Sequence, residues 1–286
     1  MPPHTMSALS IASRSRQNVL GYPVDVVDEA LALQIIDESW RMSKGLHVVT
    51  LNAEMVIAAQ QDQTLDRIIR HAHLIIPDGS GVVWALRLAG HANNRLPGIE
   101  LASATLTRAG ASGRRVALIG GKPETLEKLL QIMPQLYPGI NIVASHHGYF
   151  ATDEEDEIVD VIEDKNPELV LVALGVPKQE YFIDRWQSRF SKSVLIGVGG
   201  SFDVWAGNVK RAPAAFRKVH CEWLYRLIKE PWRYKRMGSA LPAFALQVMR
   251  ELAHKKLEKA APHGDKRAQA SKPPKHDKKR ERSKDK

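Results

Sequence analysis

The chain has 286 residues, 44% hydrophobic and 26% charged, with a formal net charge of +9. It has material for one sizeable core, and no apolar run approaches the roughly 18 residues that cross a bilayer. A lone cysteine, Cys221, excludes internal disulfides and a cysteine-built zinc site, and fits a reducing compartment. From residue 251 onward there are 13 Lys or Arg against six acidic residues, leaving 28 against 26 in the first 250. The body is therefore nearly balanced. The tail KRAQASKPPKHDKKRERSKDK reads as a disordered, basic segment, either a solubiliser or an attractor of polyanions. The leader MPPHTMSALSIASRSRQ has no acidic residue and no apolar h-region, so it reads as a disordered extension rather than a secretory signal.

Residues 18–27 carry Gly21-Tyr22-Pro23 and read as an edge ribbon, because proline belongs at an edge or turn. A helix is predicted over 28–42. Aliphatic runs at 47–51, 73–76, 115–119, 140–144, 169–174 and 194–198 have the length of buried strands, with helical patterns between them. Such alternation predicts an α/β fold with a doubly wound, mainly parallel sheet. After Val198 no clear strand follows. Trp205, Trp223 and Trp232 fall in this part of the chain, which includes RAPAAFRKVHCEWLYRLIKEPWRYKRM, read as a basic helical appendage. A further amphipathic helix is predicted at 241–257. The organisation expected is a leader at 1–17, an α/β body at 18–212, the appendage at 213–258 and a basic tail at 259–286.

Ligands of open α/β sheets bind at the carboxyl ends of strands, so the strand-to-helix junctions carry the functional argument. Five stand out. At the first, Thr50 and Asn52 precede a helix predicted at 54–61; Asn52 is either its N-cap or an amide aimed at a ligand. At the second, Asp78 ends an apolar strand before Gly79 and Gly81, as a general base or as a turn aspartate. The third pairs Gly120 and Gly121 with Pro123 early in a helix, a layout that suits an anion. It matches neither GxGxxG nor a Walker A loop. The fourth runs Gly175-Val176-Pro177-Lys178-Gln179-Glu180, where Glu180 suits the positive end of a helix. The fifth, Gly199-Gly200-Ser201-Phe202-Asp203, adds an acceptor for a base or ribose.

In the appendage Arg226, Arg233 and Arg236 are spaced to share a helical face, although Pro231 between them favours a new turn. They are either a solvated surface or a clamp for a diphosphate. His71 and His73, like His146 and His147, lack metal-ligand spacing; HExxH and the GxSxG elbow are absent.

Together these segments resemble the WecG/TagA/CpsF glycosyltransferases. The match runs through Thr50 to Glu54, IPDGSGVVWALRLAG, PGIEL, LIGGKPET, LGVPKQE, GVGGSFDVWAGNVKRAP and EWLYRLIKEPWRYKRM, over roughly residues 18–237. At the first junction Leu51 and Ala53 depart from the family's common T-P-N-P-E, while Thr50, Asn52 and Glu54 are kept. The resemblance implies a Rossmann-like body, a UDP-sugar donor, inversion at the anomeric centre and no metal or other cofactor. Known members pass N-acetylmannosamine or N-acetylmannosaminuronic acid to N-acetylglucosamine on undecaprenyl diphosphate. By position, Asp78 resembles the catalytic base and Thr50 an active-site threonine. Gln179 and Asp203 resemble polar residues around the nucleotide-sugar, and Arg226, Arg233 and Arg236 resemble the appendage arginines that reach a diphosphate; Asn52, Gly120, Gly121 and Gly199 are further substrate-binding candidates.

A polyprenyl acceptor lies in the bilayer, so the resemblance also implies a peripheral enzyme on the cytoplasmic face of the plasma membrane. Arginines beside Trp223, Tyr225, Trp232 and Tyr234 make an interfacial patch. Assembly into a homo-oligomer is left open, as is the donor sugar. Two rival classes predict other behaviour. A nucleic-acid binder would use the tail, but the balanced body and lack of a nucleic-acid motif disfavour it. A non-catalytic nucleotide-sugar binder would hold UDP without turnover, against which Thr50 and Asp78 both speak.

Overall fold

A computed structural model describes residues 14–91, 95–209, 212–213 and 234–260. A hairpin opens it: β1 (Arg16–Val19) pairs antiparallel with β2 (Tyr22–Asp25). The first strand thus begins within the segment read as leader. The predicted 28–42 helix is α1 (Glu29–Met42), with the Asp28 carboxylate accepting the Leu31 N–H as its N-cap.

The main sheet has six parallel strands. In chain order they are β3 (Leu46–Leu51), β4 (Leu74–Pro77), β5 (Arg115–Gly120), β6 (Asn141–His146), β7 (Leu169–Ala173) and β8 (Val194–Gly197). Their spatial order is β4-β3-β8-β7-β5-β6. The chain leaves β3 toward β4 and leaves β5 toward β6 at the opposite edge; β7 and β8 then fill the space between. All carboxyl ends share one edge, with the direction of winding reversing near its middle, which is where such sheets place ligands.

Alternate strand residues point to opposite faces, and here both faces are apolar, as a parallel sheet covered by helices requires. Val48, Ile76, Leu118, Leu171 and Ile196 pack on one side against α1, α5 (Gly98–Ala111) and α6 (Pro123–Leu136). On the other side Val49, Leu51 and Ile75 lie beneath α2 (Ala53–Ala59), α3 (Gln63–His71) and α4 (Ser80–Leu88). Ile119, Val170, Val172 and Leu195 lie beneath α7 (Glu155–Glu163) and α8 (Lys178–Trp186). The result is a three-layer, Rossmann-like α/β/α body, and the short α9 (Ser201–Trp205) closes its described part.

Beyond it, α10 (Tyr234–Ala260) runs unbroken through Gly238 and Pro242, where the pattern predicted a helical stretch ending at 237 and a further helix over 241–257. Burial of Ala240, Phe244 and Val248 offsets an interior proline cost of roughly 3 kcal/mol. The helix packs on α2 and α4 rather than standing apart. Phe244 lies over Gly81, at the start of α4, and Gln247 hydrogen-bonds Gln60, just past the end of α2. Its amino-terminal end therefore lies toward the carboxyl edge of the sheet. Among the described residues no helix is long and apolar enough to cross a membrane.

Candidate active site

At the end of β3 the Thr50 side chain is on the face covered by α5, and Gly98, the first residue of that helix, sits against it. A Cβ on Gly98 would come within 2.8 Å of Thr50 Cγ2. Across the strand, Thr50 Oγ1 lies 3.5 Å from the Gly197 carbonyl at the end of β8. Asn52 N-caps α2, its Oδ1 accepting the Met55 N–H at 3.0 Å. It also backs directly on Gly79. The capping use is thus realised, in the immediate neighbourhood of Asp78.

Asp78 follows β4 but does not cap the helix next to it; that position is Gly79, which has no side chain to offer. The carboxylate reaches across instead. Its Oδ1 accepts the Gly98 N–H at 2.9 Å, at the positive end of α5. Arg95 donates from Nε to the Asp78 carbonyl at 2.6 Å and places Nη2 3.9 Å from Oδ1. A backbone amide, a helix terminus and a guanidinium thus fix a carboxylate whose side chain stays 28% exposed. A positioned and accessible carboxylate is what proton abstraction needs.

The third and fourth junctions interlock. Gly120 adopts a φ of +122°, and a Cβ there would lie 2.4 Å from the Ala173 carbonyl, so only glycine fits. The Gly121 N–H donates to that same carbonyl. This pair therefore brings the ends of β5 and β7 together, and the Gly121 amide is spent on that contact. Gln179 is buried, with both ends of its amide engaged: Oε1 accepts the Gly199 N–H and Nε2 donates to Glu180 Oε1, each at 2.9 Å. Asp203, in α9, accepts the Thr125 hydroxyl at 3.0 Å, and that hydroxyl accepts from Asn208.

Glu180 lies in the first turn of α8, the positive end it was expected to suit, and is deeply buried there. It is only 1% exposed, its Oε2 has no hydrogen-bond partner, and burial pushes its carboxyl up to about 7. Arg95, Gly98, Thr125 and Glu180 were not singled out as functional from the residues alone. Pro97-Gly98 ahead of an amphipathic run was the available signal for the α5 terminus; nothing local points to Arg95 or Thr125. Arg226 and Arg233 lie outside the described residues. Arg236 belongs to the first turn of α10, toward the carboxyl edge, but its side chain is outside the described part. Among the described residues no group of three His, Cys, Asp or Glu is placed to hold a metal.

A six-stranded parallel sheet whose carboxyl edge gathers Thr50, Asp78, Gln179 and Gly199 has the architecture of a Rossmann-like group-transfer enzyme. The family model described as "Glycosyl transferase WecG/TagA/CpsF family" matches residues 17–258, and the chain belongs to that family of glycosyltransferases. Relatives in Bacillus subtilis (37% identical over 77% of this chain and 86% of the relative) and Staphylococcus aureus (38%, over 76% and 84%) are similar to it. So is one in Bacillus spizizenii (36%, over 73% and 80%). All three are named N-acetylglucosaminyldiphosphoundecaprenol N-acetyl-beta-D-mannosaminyltransferase.

Proposed function

We propose that this glycosyltransferase transfers N-acetylmannosamine, or a closely related sugar, from UDP to N-acetylglucosamine carried on a polyprenyl diphosphate. The observation carrying this reading is Asp78, held by the Gly98 N–H beside Thr50 at the carboxyl edge. The names of the relatives support the acceptor and the sugar.

The chemistry is a single displacement. The acceptor hydroxyl oxygen attacks the anomeric carbon as the bond to the β-phosphate oxygen breaks, inverting the centre. Asp78 takes the hydroxyl proton, worth roughly 100- to 10,000-fold in rate. UDP leaves as an anion without needing a proton, so a single carboxylate suffices where glycosidases use two. Its developing charge calls for cations. Arg226, Arg233 and Arg236 supply them in this reading, which the direction of α10, with its first turn toward the carboxyl edge, supports. Thr50 orients the reacting sugar, and Asp203 with Thr125 receives the nucleoside. No resident metal takes part in the scheme.

Because the acceptor is a membrane lipid, the enzyme works as a peripheral protein on the inner face of the plasma membrane, with the basic tail adding attraction to anionic lipid. Assembly into homo-oligomers belongs to the proposal only as a question of which subunit's appendage completes a site.

Product formation from a panel of UDP-sugars with a short-chain prenyl-diphosphate–N-acetylglucosamine acceptor tests the reading. One donor should turn over, and Asp78→Asn should lose about 100-fold or more while UDP affinity holds within about twofold. UDP binding without turnover of any donor would return the chain to the class of nucleotide-sugar binders.

A further inference from the structure

The buried pair Gln179–Glu180 occupies space that a side chain on Gly197 would fill. A Cβ there would lie 2.4 Å from Gln179 Nε2 and 3.2 Å from Glu180 Oε1. The last residue of β8 is thus glycine beside a pair of polar side chains that are 2% and 1% exposed. Their bonds run in one direction: Gln179 Nε2 donates to Glu180 Oε1, which leaves Gln179 Oε1 facing the Gly199 N–H. An amide has a donor end and an acceptor end, so whatever holds one end decides what the other presents. Reversed, Gln179 would oppose the Gly199 N–H with a second donor. Gly199 in turn sits in the turn between β8 and α9, the helix that carries Asp203.

We infer that Glu180 is a positioning residue of the donor site: by holding Gln179 Nε2, it orients the amide that anchors the Gly199 turn and hence Asp203. Glu180 touches no substrate; it acts through Gln179. Its second oxygen makes no hydrogen bond, although burying a polar atom unpaired costs about 1–3 kcal/mol. A residue serving stability alone is better replaced by an apolar one of similar size. This inference rests on the proposed placement of the UDP-sugar at this edge.

The experiment measures the donor KM, kcat and UDP Kd of Glu180→Leu, Glu180→Gln, Gln179→Ala and the double variant Gln179→Ala/Glu180→Leu. Glu180→Leu should raise donor KM and UDP Kd about tenfold, the scale of one lost hydrogen bond, with kcat within about twofold. Glu180→Gln should restore both constants, because its side-chain carbonyl accepts the same N–H. The double variant should be no worse than Gln179→Ala alone. Losses that multiply in the double variant would overturn positioning through Gln179, as would a normal donor KM in Glu180→Leu beside a raised one in Gln179→Ala. Unchanged UDP affinity in both single variants would remove the donor from this edge altogether. If Glu180→Leu does not fold, Gly197→Ala reports on the same contact: its Cβ displaces Gln179 Nε2, and a normal donor KM in the folded variant would overturn the inference.

Discussion

At the amino edge of the sheet, Asp25 is completely buried, and its carboxylate is met on every side. Arg14 and Arg16 pair with Oδ1 at 3.0 and 2.8 Å, Arg16 adds a bond to Oδ2, and the Ile75 N–H donates at 2.7 Å. At the carboxyl edge, Glu180 is equally deep, yet it has one amide donor and an oxygen with no partner. The first arrangement ties the opening hairpin to β4. The second stands behind the candidate donor site. A carboxylate with both oxygens engaged rigidifies what it joins, whereas one buried with an oxygen unpartnered marks a place where stability has been given up for something.

Breaking the first network should be the most costly for stability. Asp25→Ala strands two guanidiniums and should cost about 3–5 kcal/mol in chemical denaturation, while the folded fraction keeps its donor KM. A comparable loss of donor affinity would erase the distinction between the edges. The two edges should also respond oppositely to pH. Burial holds the Glu180 carboxyl up at about 7, so the folded state binds the extra proton between about 4.5 and 7. Stability from this group is complete at low pH and lost as pH rises through that window; Glu180→Gln should recover up to about 3 kcal/mol above pH 7.

His47, in the amino-terminal part of β3, runs the other way. Burial first, and then the neighbouring His73, push its imidazole down to about 4 from 6.5. The unfolded chain takes up that proton first, so stability is complete above pH 6.5 and is lost as pH falls toward 4. His47→Gln should flatten this acid limb, worth about 3 kcal/mol, in denaturation curves recorded across that range. The smallest expected effect belongs to Asn52→Ala. Losing the cap of α2 should cost about 1 kcal/mol in thermal or chemical unfolding, with further loss of turnover only if the displaced Gly79 moves Asp78.

Much of the fold was legible because its signals are local. All six main strands lie within two residues of the runs that predicted them, and Asn52 announces its helix as an N-cap. The extent of α10 was not legible. Gly238 and Pro242 argue against a continuous helix on propensity, and only the burial of Ala240, Phe244 and Val248 on the body reverses that argument. The site was legible as a set of junctions, each with an ordinary structural use beside a chemical one. Asn52 does perform its ordinary use, and Gly120 closes the approach of two strands.

Residue types and their order along the chain were enough to establish a parallel α/β sheet, the junctions at its carboxyl edge and the family to which the chain belongs. Which polar atoms meet there was a matter for the tertiary structure. Asp78 finds Gly98 across 20 residues, Asp203 finds Thr125 across 78, and Thr50 approaches Gly197 across 147. Turns and caps are written in neighbouring residues, because a hydrogen bond three positions away needs no other part of the chain. A contact between strand ends exists only after the sheet has formed, and the burial that leaves Glu180 partly unpaired arises only when β8 and α8 close around it.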